Sequence, residues 1–240
     1  MRVNERKWKR IALLLLMVSL LMTAAAGMLF YKSGYLDRIQ VKLGIEGGGY
    51  KSSAREDYIL TGWAASLDGF QADIVFMGDS ITCGGDLPSF FPERSVCKLA
   101  VPGDSIQQVL YRADMVEKLA PKKIFLLVGV NNVSRGNFEN TIEENYKLLL
   151  KKLTGICDKV YVQSILPVRK PSKVDNARID RANEIISNLA QEYDCEYIDL
   201  QRAFVDEEGE LREDLTKDGV HLSEKGYEVW AEQIQEFVEE

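Results

Sequence analysis

Residues 123–130 contain Ile124-Phe125-Leu126-Leu127-Val128, a run that is apolar on both faces of an extended chain. Such a run needs cover on both sides, which is the situation of a central strand in a parallel sheet. Parallel neighbours must be joined by long crossovers, usually helices. The rest of the chain supplies both kinds of piece. Residues 73–77, 95–101, 159–166 and 196–200 read as further strands. Ile106, Val109, Leu110, Ala113, Val116 and Leu119 recur at helical spacing, with Asp104 or Ser105 as cap and Pro121 as stop. Thr141 and Glu144 make a capping-box signature ahead of Tyr146. Ile179, Ala182, Ile185, Ile186 and Leu189 form another amphipathic face. Ser223 can cap a last helix bearing Tyr227, Trp230, Ile234 and Phe237. A short helix over residues 57–67, with Tyr58, Trp63 and Leu67 as its apolar contacts, opens the domain. Strand–helix alternation of this kind predicts a parallel sheet covered by helices on both sides. In open sheets of that sort, ligands bind beyond the carboxyl ends of the strands.

The chain has 240 residues, 46% of them apolar and 28% charged, which fits one globular domain plus an appendage. Its formal net charge of −7 argues against nucleic acid as a partner, because phosphate contacts need a basic face. Cys83, Cys97, Cys157 and Cys195 are scattered without a CxxC or metal-ligand pattern. Buried free thiols are the expectation, although four cysteines outside the cytoplasm could also pair in three ways.

The N-terminus differs in kind. Residues 1–10 carry Arg2, Arg6, Lys7, Lys9 and Arg10 against Glu5 alone, and residues 11–31 then run without a charge. About twenty apolar residues span a bilayer, and the basic flank predicts a cytoplasmic N-terminus. Ala24-Ala-Ala-Gly27 also resembles a signal-peptidase site. The apolar run is longer than an ordinary signal core, so an uncleaved anchor is preferred. Both readings put the remainder outside: single-pass at the cell membrane, or secreted. Residues 32–55, with Gly47-Gly-Gly-Tyr-Lys-Ser-Ser53, read as a linker, and residues 56–240 as the folded domain.

Chemistry concentrates at strand ends. Gly78-Asp79-Ser80 follows the first strand, Val101-Pro102-Gly103-Asp104-Ser105 the second, and Gly129-Val130-Asn131-Asn132 the third. A parallel sheet brings all three to one edge, where glycines let backbone N–H groups approach a ligand. The chain's only histidine, His221, stands three residues after Asp218. One imidazole beside a carboxylate, with a serine at a strand-to-helix turn, is the material of nucleophilic acyl transfer. The plainer roles are helix cap for Ser80, turn residues for Asp79 and Asn132, and a type II turn at Pro102-Gly103. Arg169, Lys170 and Lys173 cluster in a loop after a strand. They read as solvated, with the option of meeting an anionic substrate.

These blocks resemble the SGNH hydrolases, also called the GDSL esterase/lipase family. Ser80 in Gly-Asp-Ser, Gly103, Asn131 in Gly-x-Asn and His221 in Asp-x-x-His match its four blocks, in order, over roughly residues 73–227. The resemblance implies a three-layer α/β/α sandwich with a mostly parallel, flavodoxin-like central sheet, here preceded by the transmembrane helix. It implies Ser80 as nucleophile, His221 as base and then acid, and Asp218 as the group that orients the imidazole. The Ser80 N–H, the Gly103 N–H and Asn131 would form the oxyanion hole, with no metal and no cofactor. Two departures are Asn132, where the family often has Asp, and Ala100, where it often has Gly. Thr82 excludes the Gly-x-Ser-x-Gly elbow of α/β-hydrolases.

The expected reaction is hydrolysis of carboxylic esters through an acyl-enzyme. Small-molecule or glycan esters are the expected substrates, with O-acetyl or short acyl groups on cell-surface carbohydrate first. Acyl transfer to a glycan, a lysophospholipase or lipase activity, and a non-catalytic binding domain remain open at this point.

Overall fold

The computed structural model describes residues 54–134 and 139–240. The expected basic segment, membrane helix and signal-like site, and the linker up to residue 53, lie outside the described residues. The elements run as follows: α1 Ala54–Ser66, β1 Ile74–Gly78, α2 Ser80–Gly84, α3 Leu87–Phe90, β2 Val96–Ala100, α4 Ile106–Tyr111, α5 Asp114–Glu117, β3 Lys123–Leu127, α6 Val130–Ser134, α7 Glu139–Thr154, β4 Val160–Gln163, α8 Asn176–Glu192, β5 Glu196–Ile198, α9 Gln201–Phe204 and α10 Glu224–Glu239. A 3-10 turn at Glu213–Leu215 precedes α10.

The five strands form one sheet in the order β2-β1-β3-β4-β5, with every pairing parallel. All five residues of β1 and all five of β3 are buried, as an apolar run on both faces requires. One face carries an aromatic row in register across the strands. Phe76 pairs with Phe125, and Phe125 with Tyr161. The Phe76 and Phe125 rings stack at 4.9 Å, and Phe125 and Tyr161 at 4.6 Å. Helix α10 lies over this row: Trp230 meets Phe76 edge-on at 6.3 Å, and Phe237 tilts against Tyr161. Lys123, at the start of β3, donates from Nζ to Phe237 O (2.7 Å) and Val238 O (3.1 Å). It thereby satisfies carbonyls at the end of α10 that have no partner within the helix.

Helix α7 packs against both α4 and α8. Their buried residues include Ile106, Val109, Ile142, Tyr146, Leu149, Leu150, Ile179, Ala182 and Ile186. Ser223 caps α10 by accepting from Gly226 N–H at 3.1 Å, as its position predicts. Two expectations need correction. The helix after Ser105 is not continuous: it stops at Tyr111 and resumes at Asp114. The break falls where Arg112 turns into the protein interior. Ala113, Val116 and Leu119 still continue the buried face. Thr141 is not a cap either, because α7 is already helical from Glu139. All four cysteines are free thiols, three of them buried.

Candidate active site

The strand order reverses direction between β1 and β3, and at such a switch point the loops of adjacent strands diverge and leave a crevice. Ser80 follows β1, Asn131 follows β3 and Gly103 follows the outer strand β2. The three segments expected at one sheet edge are therefore at one edge. Asp79 turns the chain there. It is fully buried, it caps α2, and its Oδ1 accepts from Ile81 N–H at 3.0 Å. Ser80 is thus the first residue of a helix that starts directly from the strand.

His221 comes from the loop before α10. Its Nε2 lies 3.0 Å from Ser80 Oγ, and its Nδ1 lies 2.7 Å from Asp218 Oδ2. The loop explains the Asp-x-x-His spacing. Asp218 Oδ1 accepts from the N–H groups of Val220 (3.0 Å) and His221 (2.8 Å), which curls the chain back on itself. The other carboxylate oxygen is then in place for the imidazole. Gly219 sits at the bend with φ +88°, and a β-carbon there would run into Arg169 O. The loop is tied down by Arg169 N–H to Gly219 O (2.8 Å), and by Lys217 N–H and Thr216 Oγ to His221 O (both 2.9 Å). The desolvation of Asp218 works to raise its pKa. The His221 and Val220 N–H groups and the imidazole outweigh that and hold it at about 2. The carboxylate is ionised at neutral pH. It favours the tautomer with hydrogen on Nδ1, leaving the Nε2 lone pair toward the serine hydroxyl.

Gly103 has φ +84°, which the turn from Val101 to Asp104 requires, and that turn is closed by Asp104 N–H to Val101 O at 3.2 Å. Asn131 Nδ2 donates to Asp104 O at 2.9 Å and lies 3.4 Å from Asp79 Oδ2. Asn132 is more than a turn residue. Its side-chain oxygen accepts from Ile106 N–H at the start of α4, and its Nδ2 donates to Gln107 Oε1, both at 3.0 Å. It stitches the segment after β3 to the segment after β2. Tyr227 has a similar second role beyond the core, donating to Ile81 O at 2.8 Å and linking α10 to α2.

Asp79 is pushed up to about 6. Burial is the main cause, and the neighbouring Asp104 carboxylate adds to it. Beneath the site lies a buried pair that sequence reasoning missed, Arg112 with Asp104, whose side chains are 4% and 3% exposed. A legible signal existed: position 112 falls on the apolar face defined by Val109, Ala113 and Val116, and a charge on a buried face needs a partner. Arg169 does not offer its charge to a ligand, because it is paired with Asp206 (2.6 Å) and Glu210 (3.0 Å). Among the described residues, no cluster of three or more His, Cys, Asp or Glu could hold a metal ion.

Residues 76–229 match the model of the GDSL-like Lipase/Acylhydrolase family. A multidomain esterase of Ruminococcus flavefaciens is 29% identical over 146 residues, which cover 56% of this chain and 18% of that protein. An N-acylneuraminate cytidylyltransferase of Streptococcus agalactiae serotype V is 25% identical over 171 residues, 71% of this chain and 40% of the relative. The chain thus spans less than half the length of either relative. In fold it is similar to the crystal structure of a GDSL-like lipase from Bacteroides thetaiotaomicron, with a TM-score of 0.64 at 24% identity, over 78% of this chain and 98% of the other. Because the family match runs from within β1 to within α10, the chain belongs to the GDSL-like lipase/acylhydrolase family, a family of carboxylic ester hydrolases.

Proposed function

We propose that the domain is a serine esterase that releases acetyl or other short acyl groups from carbohydrate at the cell surface. The observation that carries the reading is the pair of contacts made by one imidazole, 3.0 Å to Ser80 Oγ and 2.7 Å to Asp218 Oδ2. As Ser80 Oγ attacks the ester carbon, its proton passes to His221 Nε2 and the carbonyl electron pair moves onto oxygen. The Ser80 and Gly103 N–H groups and Asn131 Nδ2 are the proposed donors to that oxyanion. For Asn131 this means exchanging its longer contact, the 3.4 Å approach to Asp79, for the oxyanion. Collapse breaks the bond to the alcohol, which leaves with the Nε2 proton. Water then gives a proton to Nε2 and attacks the acyl-Ser80 ester. The second collapse returns that proton to Ser80 Oγ and releases the acid. Asp218, held ionised, stabilises the imidazolium in both halves.

The substrate reading rests on openness. The His221 and Asp218 side chains are 45% and 53% exposed, so a bulky alcohol can reach the dyad. A relative named for an N-acylneuraminate, a sugar acid, supports a carbohydrate as that alcohol. The proposed location, outside the cell and tethered through residues 11–31 or freed by cleavage near Ala24, rests on the charge pattern of residues 1–31. A series of p-nitrophenyl esters of increasing chain length tests the acyl preference. The expected result is a kcat/KM that peaks at two to four carbons, on the order of tenfold above the octanoate ester. A maximum at long chains would favour the lipase reading and overturn this one.

A further inference from the structure

Arg112 has no part in the chemistry just described, yet its buried guanidinium reaches the backbone that frames it. Nη1 is paired with the Asp104 carboxylate. Nη2 donates to Gly78 O at 2.6 Å, and Nε donates to Leu99 O at 3.3 Å. Gly78 ends β1 two residues before Ser80, and Leu99 lies in β2. Asp104 directly follows Gly103, and its own carbonyl receives the Asn131 amide. One planar, rigid fork therefore touches the ends of two strands and the loop between the proposed oxyanion donors. The chain breaks its helix at this residue, between α4 and α5, as the side chain turns inward.

We infer that Arg112 is a positioning residue for the acyl transfer proposed above: its guanidinium sets the distance between Ser80 and the donors at Gly103 and Asn131. The inference rests on that reading. A lysine at 112 keeps the charge but cannot reach Asp104, Gly78 O and Leu99 O together. Replacing both partners of a buried pair by apolar groups often leaves stability intact, so for a purely structural ion pair kcat would return together with stability.

The test uses the full-length chain with p-nitrophenyl acetate, comparing wild type, Arg112→Lys and the double variant Arg112→Met/Asp104→Leu for kcat, KM and Tm. Displacements on the scale of 1 Å cost roughly 100-fold in rate. Arg112→Lys should lower kcat by roughly 10- to 100-fold with KM within about threefold. The double variant should recover most of the wild-type Tm while its kcat stays low. Recovery of Tm and kcat together would overturn the inference, as would a wild-type kcat in Arg112→Lys. If the double variant does not fold, the kcat of Arg112→Lys decides alone. A wild type that neither turns over the ester nor accepts a serine-directed fluorophosphonate would instead remove the esterase reading itself, and the inference with it.

Discussion

Asp79 shows how a single side chain couples the site to stability. In the unfolded chain its carboxyl titrates at the ordinary aspartate value of 3.8, whereas in the fold burial pushes it to about 6. Between those values the unfolded chain gives up its proton while the folded chain keeps it. Stability therefore falls as pH rises through the window from about 4 to 6 and is level above it. The expected loss is on the order of 3 kcal/mol. Asp79→Asn cannot ionise, and its side-chain oxygen can still accept from Ile81 N–H. Denaturant melts at pH 4, 5, 6 and 7 should show the variant gaining on wild type across this window. Contributions from Asp218, whose pKa is lowered, belong to more acid pH and cancel in the comparison. Parallel curves would contradict the burial argument. At this scale the sequence was informative about which of Ser80, Asp218 and His221 come together, because residue type, the Asp-x-x-His spacing and the family resemblance single them out and the fold brings them into contact. It was uninformative about Asp79 and Asn132, which look like turn residues until their distant partners are in place.

At the scale of elements, the pieces with a local cause were legible. The strand at Lys123–Leu127 follows from its apolar run, and the start of α10 follows from Ser223. The pieces with a remote cause were not. Nothing near Tyr111 ends a helix; the interruption goes with the side chain of Arg112 and its contacts with Gly78, Leu99 and Asp104. The loop from Thr216 to Leu222 lies between these cases. Its Asp-x-x-His spacing was readable, but the need for Gly219 came from Arg169, some fifty positions earlier. Gly219→Ala should cost roughly 2 kcal/mol or more, from a positive φ and a clash with Arg169 O. It should also lower kcat by roughly tenfold or more as Asp218 and His221 shift. Thermal melts and ester turnover check both. A variant with wild-type Tm and kcat would show that the loop is not held as described.

At the scale of the whole molecule, strand–helix alternation predicts a parallel sheet but not its order, because pairing joins residues far apart in sequence. The order β2-β1-β3-β4-β5 puts the ends of β1 and β3 on either side of the switch point. That placement puts an asparagine after one strand at the same edge as a serine after another, where a histidine from the loop before the last helix and the serine meet. The central claim is that serine and histidine meet as a nucleophile and its base. Fluorophosphonate labelling of the full-length chain, read by intact mass, tests it most directly. One adduct is expected on wild type, none on Ser80→Ala, and labelling slowed by roughly 1,000-fold or more in a folded His221→Ala. Labelling of Ser80→Ala at the wild-type rate, or of His221→Ala as fast as wild type, would contradict it.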